Sequence, residues 1–180
     1  MAIRLERPNE QLLPAYVDAL RTGWSPHNEF DVCALHLAQI EADPAAFLAS
    51  FDWAPGQTIE HTPGVFVPRL PGHTLWISDG EFCGRMNLRW PLDETGFPPH
   101  ISGHIGYAVV PWKRRRGIAT AALRLIRPYA RAAGLDELLI TTNPANLPSQ
   151  GVILAAGGRF DHIRPNGTTL GFILSTKDAA

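Results

Sequence analysis

Arg114, Arg115 and Arg116, followed by Gly117 and Ala119, are the residues best placed for chemistry. An apolar run from His104 to Val110 stops at Pro111, four basic residues fill Lys113 to Arg116, and a helical pattern starts at Ile118. A strand that ends in a glycine-containing loop and opens into a helix leaves several backbone N–H groups pointing one way. Together with the positive end of the helix dipole they form an anion site. The arginines add positive potential, and Gly117 and the small Ala119 let a ligand approach the main chain. A di- or triphosphate is the guest that fits. A solvated basic loop with Gly117 as a turn residue satisfies the same ten residues. No Gly-x-x-x-x-Gly-Lys-Ser/Thr loop and no Gly-x-Gly-x-x-Gly triplet occurs, so neither a Walker loop nor a dinucleotide fingerprint is present.

The elements that must position this loop follow from hydrophobic spacing. Ile3 to Arg7 reads as a strand, and Asn9 caps a helix through Leu12, Leu13, Tyr16, Val17 and Leu20, with Pro14 tolerated early or shifting its start. Val32 to Ala42 is a second helix, and Asp43-Pro44 starts a short third one through Phe51. Pro55 to Pro71 is rich in proline and reads as loop. Leu75 to Ser78 and Phe82 to Trp90 form a hairpin about Asp79-Gly80. The strand His104 to Val110 and a helix from Gly117 to Ala133 follow, the helix kinked at Pro128. Glu137 to Thr142 is a strand, Leu147 to Ala156 a short helix, and a closing hairpin turns at Asn166-Gly167. The chain is therefore α+β or mixed α/β, one domain over residues 1–180 built on one central sheet.

Composition narrows the function classes. A net charge of −1 over 180 residues argues against nucleic acid as the main partner. The basic cluster from Lys113 to Arg116 is local and suits a small anion. Cys33 and Cys83 form no metal or redox motif and read as reduced thiols. The start lacks an apolar signal core and no apolar run reaches membrane-spanning length, so a cytoplasmic protein with no membrane partner is expected.

The spacing Arg114-x-x-Gly117-x-Ala119 resembles the Gln/Arg-x-x-Gly-x-Gly/Ala pyrophosphate motif of the GNAT superfamily of acetyl-CoA-dependent acyltransferases. Gly103-His-Ile-Gly-Tyr-Ala-Val-Val-Pro111 ahead of the arginines is similar to a bacterial subgroup of that family. Asn146-Leu-Pro-Ser149 ahead of Gly157-Gly158 resembles its Asn-x-x-Ser helix entry. The resemblance covers most of residues 70–160, an acetyl-CoA core; residues 1–70 become acceptor-side helices and loops, and 159–175 the closing hairpin. It implies a mixed sheet with helices on both faces and a parallel strand pair that splays at its C-terminal ends. Acetyl-CoA would lie in the splay, at the crevice where open sheets bind ligands. Pantetheine would pair with Ala108, Val109 and Val110, with a bulge at Val110–Pro111. The pyrophosphate would rest on the N–H groups of Arg115, Arg116, Gly117, Ile118, Ala119 and Thr120, beside Arg114, and Asn146 would cap its helix and touch pantetheine. An N–H near Ala108 or Val109 would polarise the thioester carbonyl, worth about 3 kcal/mol per donor.

The resemblance also implies direct attack by an amine on the thioester in a ternary complex. Relatives place a Glu where this chain has His104. On an alternating strand His104 shares a face with Gly106, Ala108 and Val110, and imidazole can serve as a base near neutral pH. A structural His hydrogen-bonded at the strand start is the other reading. Pairing with His100 as a metal site lacks further ligands, so no metal is expected. Relatives use a Tyr as general acid where this chain has Ile153, which leaves Ser149, Tyr107 or water to meet the CoA thiolate. Glu29, Asp31, Glu41 and Glu60 could recruit a cationic amine or be solvated. The expected function is acetyl transfer from acetyl-CoA to a primary amine of a small molecule, amino acid or peptide, with a homodimer as one assembly open to it. The alternative is an acyl-CoA-binding module without turnover, because the Tyr is missing.

Overall fold

Period-two patterning along two long strands organises the protein. The computed structural model describes residues 2–27, 31–53, 56–62, 65–93, 96–98, 101–164 and 167–177. Strand β1 is Arg4–Glu6, followed by helices α1 (Leu13–Arg21), α2 (Cys33–Ala42) and α3 (Pro44–Ala49). Asn9 Oδ1 accepts from the Leu12 N–H at 3.0 Å, and Pro14 falls in the first turn of α1, so the proline moves the helix start rather than breaking it. Asp43 caps α3 through the Ala46 N–H at 2.9 Å.

Short β2 (Asp52–Trp53) follows, and the hairpin of β3 (Thr58–Thr62) and β4 (Val65–Pro68) occupies the Pro55 to Pro71 segment expected as loop. Pro68 ends β4 and Pro71 precedes the next strand, places where a missing donor costs little, so proline content hid the pairing. Then come β5 (Gly72–Ser78), β6 (Phe82–Arg89) and β7 (Ile105–Val109). After a 3-10 turn at Pro111–Lys113 the chain enters α4 (Ile118–Leu125) and α5 (Arg127–Ala132), which meet at Ile126. Pro128 thus divides the expected single helix in two, because its ring cannot extend the i to i−4 ladder. Strand β8 (Glu137–Thr142), helix α6 (Leu147–Ala155), β9 (Arg159–Ile163) and β10 (Leu170–Ser175) complete the chain. Asn166 of the closing turn lies outside the described residues.

Strands β1-β5-β6-β7 form one antiparallel sheet, with β2 also on β5; β8-β10-β9 form a second, and β3-β4 a third. Alternation sends Leu75, Ile77, Met86, Leu88, Ile105 and Val109 to a core with Leu123 and Ile126. Trp76, Phe82 and Val110 go to the opposite core, among Tyr16, Trp24 and Phe47 beneath α1–α3. There the Tyr16 ring stacks on Trp76 with centroids 4.9 Å apart. Both faces of the main sheet are therefore covered by helices.

Candidate active site

Between β7 and β8 the sheet parts. They meet at the start of β7, where the His104 N–H donates to the Leu139 carbonyl at 2.8 Å. The Leu139 N–H returns the bond to His104 Nδ1 at 2.9 Å. Among the described residues no ladder joins the two strands beyond this point.

The register of β7 on β6 decides which backbone groups face the opening. Val110 N–H bonds the Cys83 carbonyl and the Arg89 N–H bonds the His104 carbonyl, both in step with the Arg85–Ala108 and Asn87–Gly106 pairs. Hydrogen-bonding pairs recur every second residue, so Gly106 and Ala108 point their amides at β6, and Ile105, Tyr107 and Val109 point theirs outward. Of the two N–H groups considered for the thioester carbonyl, the register turns that of Val109 to the cleft. The Val109 carbonyl is already engaged by Arg114 Nε at 2.9 Å. The β6–β7 register runs unbroken through Gly84–Val109, so the bulge expected at Val110–Pro111 does not form; Pro111 instead opens the 3-10 turn.

The loop has the geometry of an anion cradle. Arg115 (φ 63°) and Gly117 (φ 74°) are both left-handed, on either side of Arg116. Left-handed residues within a turn aim successive N–H groups into one concavity. Gly117 is the N-cap of α4 and supplies no side-chain cap. Among the described residues nothing accepts from the N–H groups of Arg115 through Thr120. Ile118, Ala122 and Leu123 anchor α4 in the core. Lys113 leaves the basic cluster: it is 7% exposed, with Nζ 2.8 Å from Asp79 Oδ1 and 3.0 Å from Glu81 Oε2. Only the three arginines therefore remain around the cradle.

Asn146 caps α6, its Oδ1 accepting from the Ser149 N–H at 3.2 Å. Ser149 Oγ lies 2.8 Å from the Tyr107 hydroxyl, so the structure brings these two together from β7 and α6. Burial raises the Tyr107 pKa above its ordinary value, with the Ser149 bond opposing the shift, and the phenol stays protonated at neutral pH. Ile153 is fully buried in the core and offers nothing to a ligand.

His104 does not fit the role of base. Its Nδ1 accepts a backbone N–H, so the neutral ring carries its proton on Nε2 and has no free lone pair. Burial pushes its pKa down to about 4. Phe97 packs edge-on against the ring at 4.7 Å. The imidazole clasps β7 to β8. His100 and Glu29 lie outside the described residues, as does the Glu60 side chain; Asp31 caps the Cys33 N–H at 2.8 Å, and Glu41 is solvent-exposed.

A family profile described as acetyltransferase (GNAT) domain matches residues 21–159. The chain belongs to the GNAT acetyltransferase family. Its enzyme class is accordingly acyltransferase. No curated protein matches it. Solved structures share the fold at low identity. A microcin C7 self-immunity acetyltransferase in complex with acetyl-CoA and AMP aligns with TM-score 0.59 at 13% identity, over 97% of this chain and 92% of that one. An aminoglycoside acetyltransferase in complex with coenzyme A and kanamycin gives 0.58 at 15%, over 97% and 95%. An acetyltransferase from Agrobacterium tumefaciens gives 0.54 at 18%, over 96% and 90%. No helix among the described residues is long and apolar enough to cross a membrane.

Proposed function

We propose that this GNAT protein transfers the acetyl group of acetyl-CoA to a primary amine, by direct attack in a ternary complex. One observation carries the reading: the unpartnered N–H groups of Arg115 to Thr120 open directly beyond a strand edge that is free of β8. Arg114, Arg115 and Arg116 surround the pyrophosphate, and pantetheine follows the outward edge of β7. The Val109 N–H holds the thioester oxygen as charge develops on it. The attacking amine loses its proton to water rather than to His104. As the C–S bond breaks, the Tyr107 hydroxyl, held by Ser149, donates to the departing sulfur. Asn146 sets the first turn of α6 and so the position of Ser149.

Calorimetric titration of acetyl-CoA, with CoA and ATP as controls, tests the cofactor half; micromolar binding confined to CoA species is expected, and none by a folded protein would overturn it. Release of CoA thiol with an amine panel tests turnover. The fully buried Ile153 supports a second reading, an acyl-CoA-binding module, for which binding without thiol release is the expected result.

A further inference from the structure

On the sheet face turned toward α1–α3, β7 presents only Gly106 and Ala108 beyond His104. A Cβ built on Gly106 would meet no atom within 4 Å, so open space stands over that position. Across the ladder are two long polar side chains of β6, Asn87 opposite Gly106 and Arg85 opposite Ala108. Small residues beside long ones leave a recess, and it adjoins Val109, whose N–H faces the cleft.

Both polar side chains are held in place with donors to spare. Arg85 Nε bonds the Pro26 carbonyl at 2.6 Å, in the connection between α1 and α2. That bond fixes the plane of the guanidinium, and among the described residues nothing accepts from its two terminal nitrogens. Asn87 Oδ1 accepts from Thr74 Oγ1 at 3.0 Å, which leaves Nδ2 as its remaining donor. The partly exposed Arg85 is reachable from solvent.

Among the described residues no carboxylate pairs with this guanidinium. Burial raises the Tyr16 phenol, so it stays neutral. His36, 2.6 Å from the Tyr16 hydroxyl, is pushed down to about 4, first by burial and then by Arg85 and His27. Arg85 itself is lowered to about 10 by burial, with Tyr16 opposing and Arg89 adding to the shift, and remains charged at neutral pH. A crowded cation without a counter-ion is costly unless a ligand anion completes it, and a planar fork suits an oxyanion with two acceptor atoms.

We propose that the recess receives an anionic group carried by the acceptor amine, a carboxylate or phosphate, gripped by the two terminal nitrogens of Arg85 with Asn87 Nδ2 alongside. Its role as acceptor pocket rests on the acetyltransferase reading, since only then does the acetyl group lie beside Ala108.

Thiol release with matched amines tests it: β-alanine against ethylamine for the carboxylate, O-phosphoethanolamine against ethanolamine for the phosphate. The wild-type protein should favour one anionic member at least tenfold in kcat/KM, and that pair identifies the group. Arg85→Gln should lower kcat/KM for that member about a hundredfold, mainly through KM. Its neutral counterpart should stay within about twofold, which also reports a folded enzyme. Arg85→Lys should recover part of the loss, and Gly106→Leu should block acceptors while leaving acetyl-CoA affinity unchanged. Equal losses on both members of a pair, or a wild-type preference for neutral amines, would overturn the proposal. An arm independent of turnover is calorimetry of N-acetyl-β-alanine and inorganic phosphate, with saturating CoA present to occupy the arginine loop. Binding lost in Arg85→Gln supports the site even where no amine is acetylated, and binding insensitive to that change, or absent in the wild type, sinks it. Absence of acetyl-CoA binding would instead strike the acetyltransferase reading, so the two failures are told apart.

Discussion

At the residue scale the proposed function puts the proton chemistry on hydroxyls rather than on imidazole. Tyr107 and Ser149 are 42 positions apart and meet only because β7 and α6 flank the same cleft. Each was visible in the sequence as a candidate, but their pairing was not, since no local spacing encodes it. Tyr107→Phe should reduce kcat about ten- to a hundredfold with little change in acetyl-CoA affinity, a modest loss for a general acid because the thiolate leaves readily. Steady-state kinetics with calorimetry on the same variant would show it; unchanged kcat would remove Tyr107 from the reaction. The two readings of His104, base and structural residue, separate only in three dimensions. The Leu139 N–H on Nδ1 decides for the clasp. The kcat/KM profile should therefore rise toward the acceptor amine's own pKa with no inflection from an enzyme group between pH 5 and 8. An inflection that disappears in His104→Gln would restore the base.

Among elements, the unit that matters is strand, loop and helix together. The strand, the basic loop and the helix start were legible because apolar alternation, Pro111 and Gly117 are strong local punctuation. The inward turn of Lys113 was not legible: its partners Asp79 and Glu81 come from the β5–β6 turn, more than thirty residues earlier. Arg85 and Asn87 alternate with Met86 and Leu88, and that period-two polar face is the signal in the sequence that marks them. Gly117→Pro should abolish acetyl-CoA binding in a folded protein, because φ 74° is closed to proline. The partner strand is equally constrained: a Cβ at Gly84 would lie 2.2 Å from the Ala108 carbonyl oxygen. Gly84→Ala should push β7 off β6, costing about 1–3 kcal/mol of stability, with weaker acetyl-CoA binding as the moved edge takes Val109 with it. Thermal unfolding and calorimetry of this variant would expose an overestimate of either effect.

For the whole molecule, buried histidines couple stability to acidity, His36 and His104 above all, with His73 lowered in the same direction by burial. His36 and His104 take up protons near pH 4 when folded, and near 6.5 when unfolded. Between those values the unfolded chain binds more protons, so stability falls as pH drops from about 6.5 toward 4, by at most about 1.4 kcal/mol per pH unit per group. Melting temperatures at pH 7.5, 6 and 5 should trace that fall, and His36→Gln should flatten it; parallel curves for the two proteins would refute the assignment. The α+β class was readable from element order, and the helices on both faces followed from the family resemblance. The hairpin of β3 and β4 was not, since proline punctuation overrode a weak strand pattern. The parting at His104 has a thermodynamic side. Bound acetyl-CoA would contribute backbone partners that the polypeptide lacks there, making the cofactor a structural member of the protein that consumes it. Ligand at a hundred times its Kd adds about 2.7 kcal/mol to folding, and amide exchange at Val109 should slow on its addition. Survival of the folded chain would then track the supply of its own acyl donor.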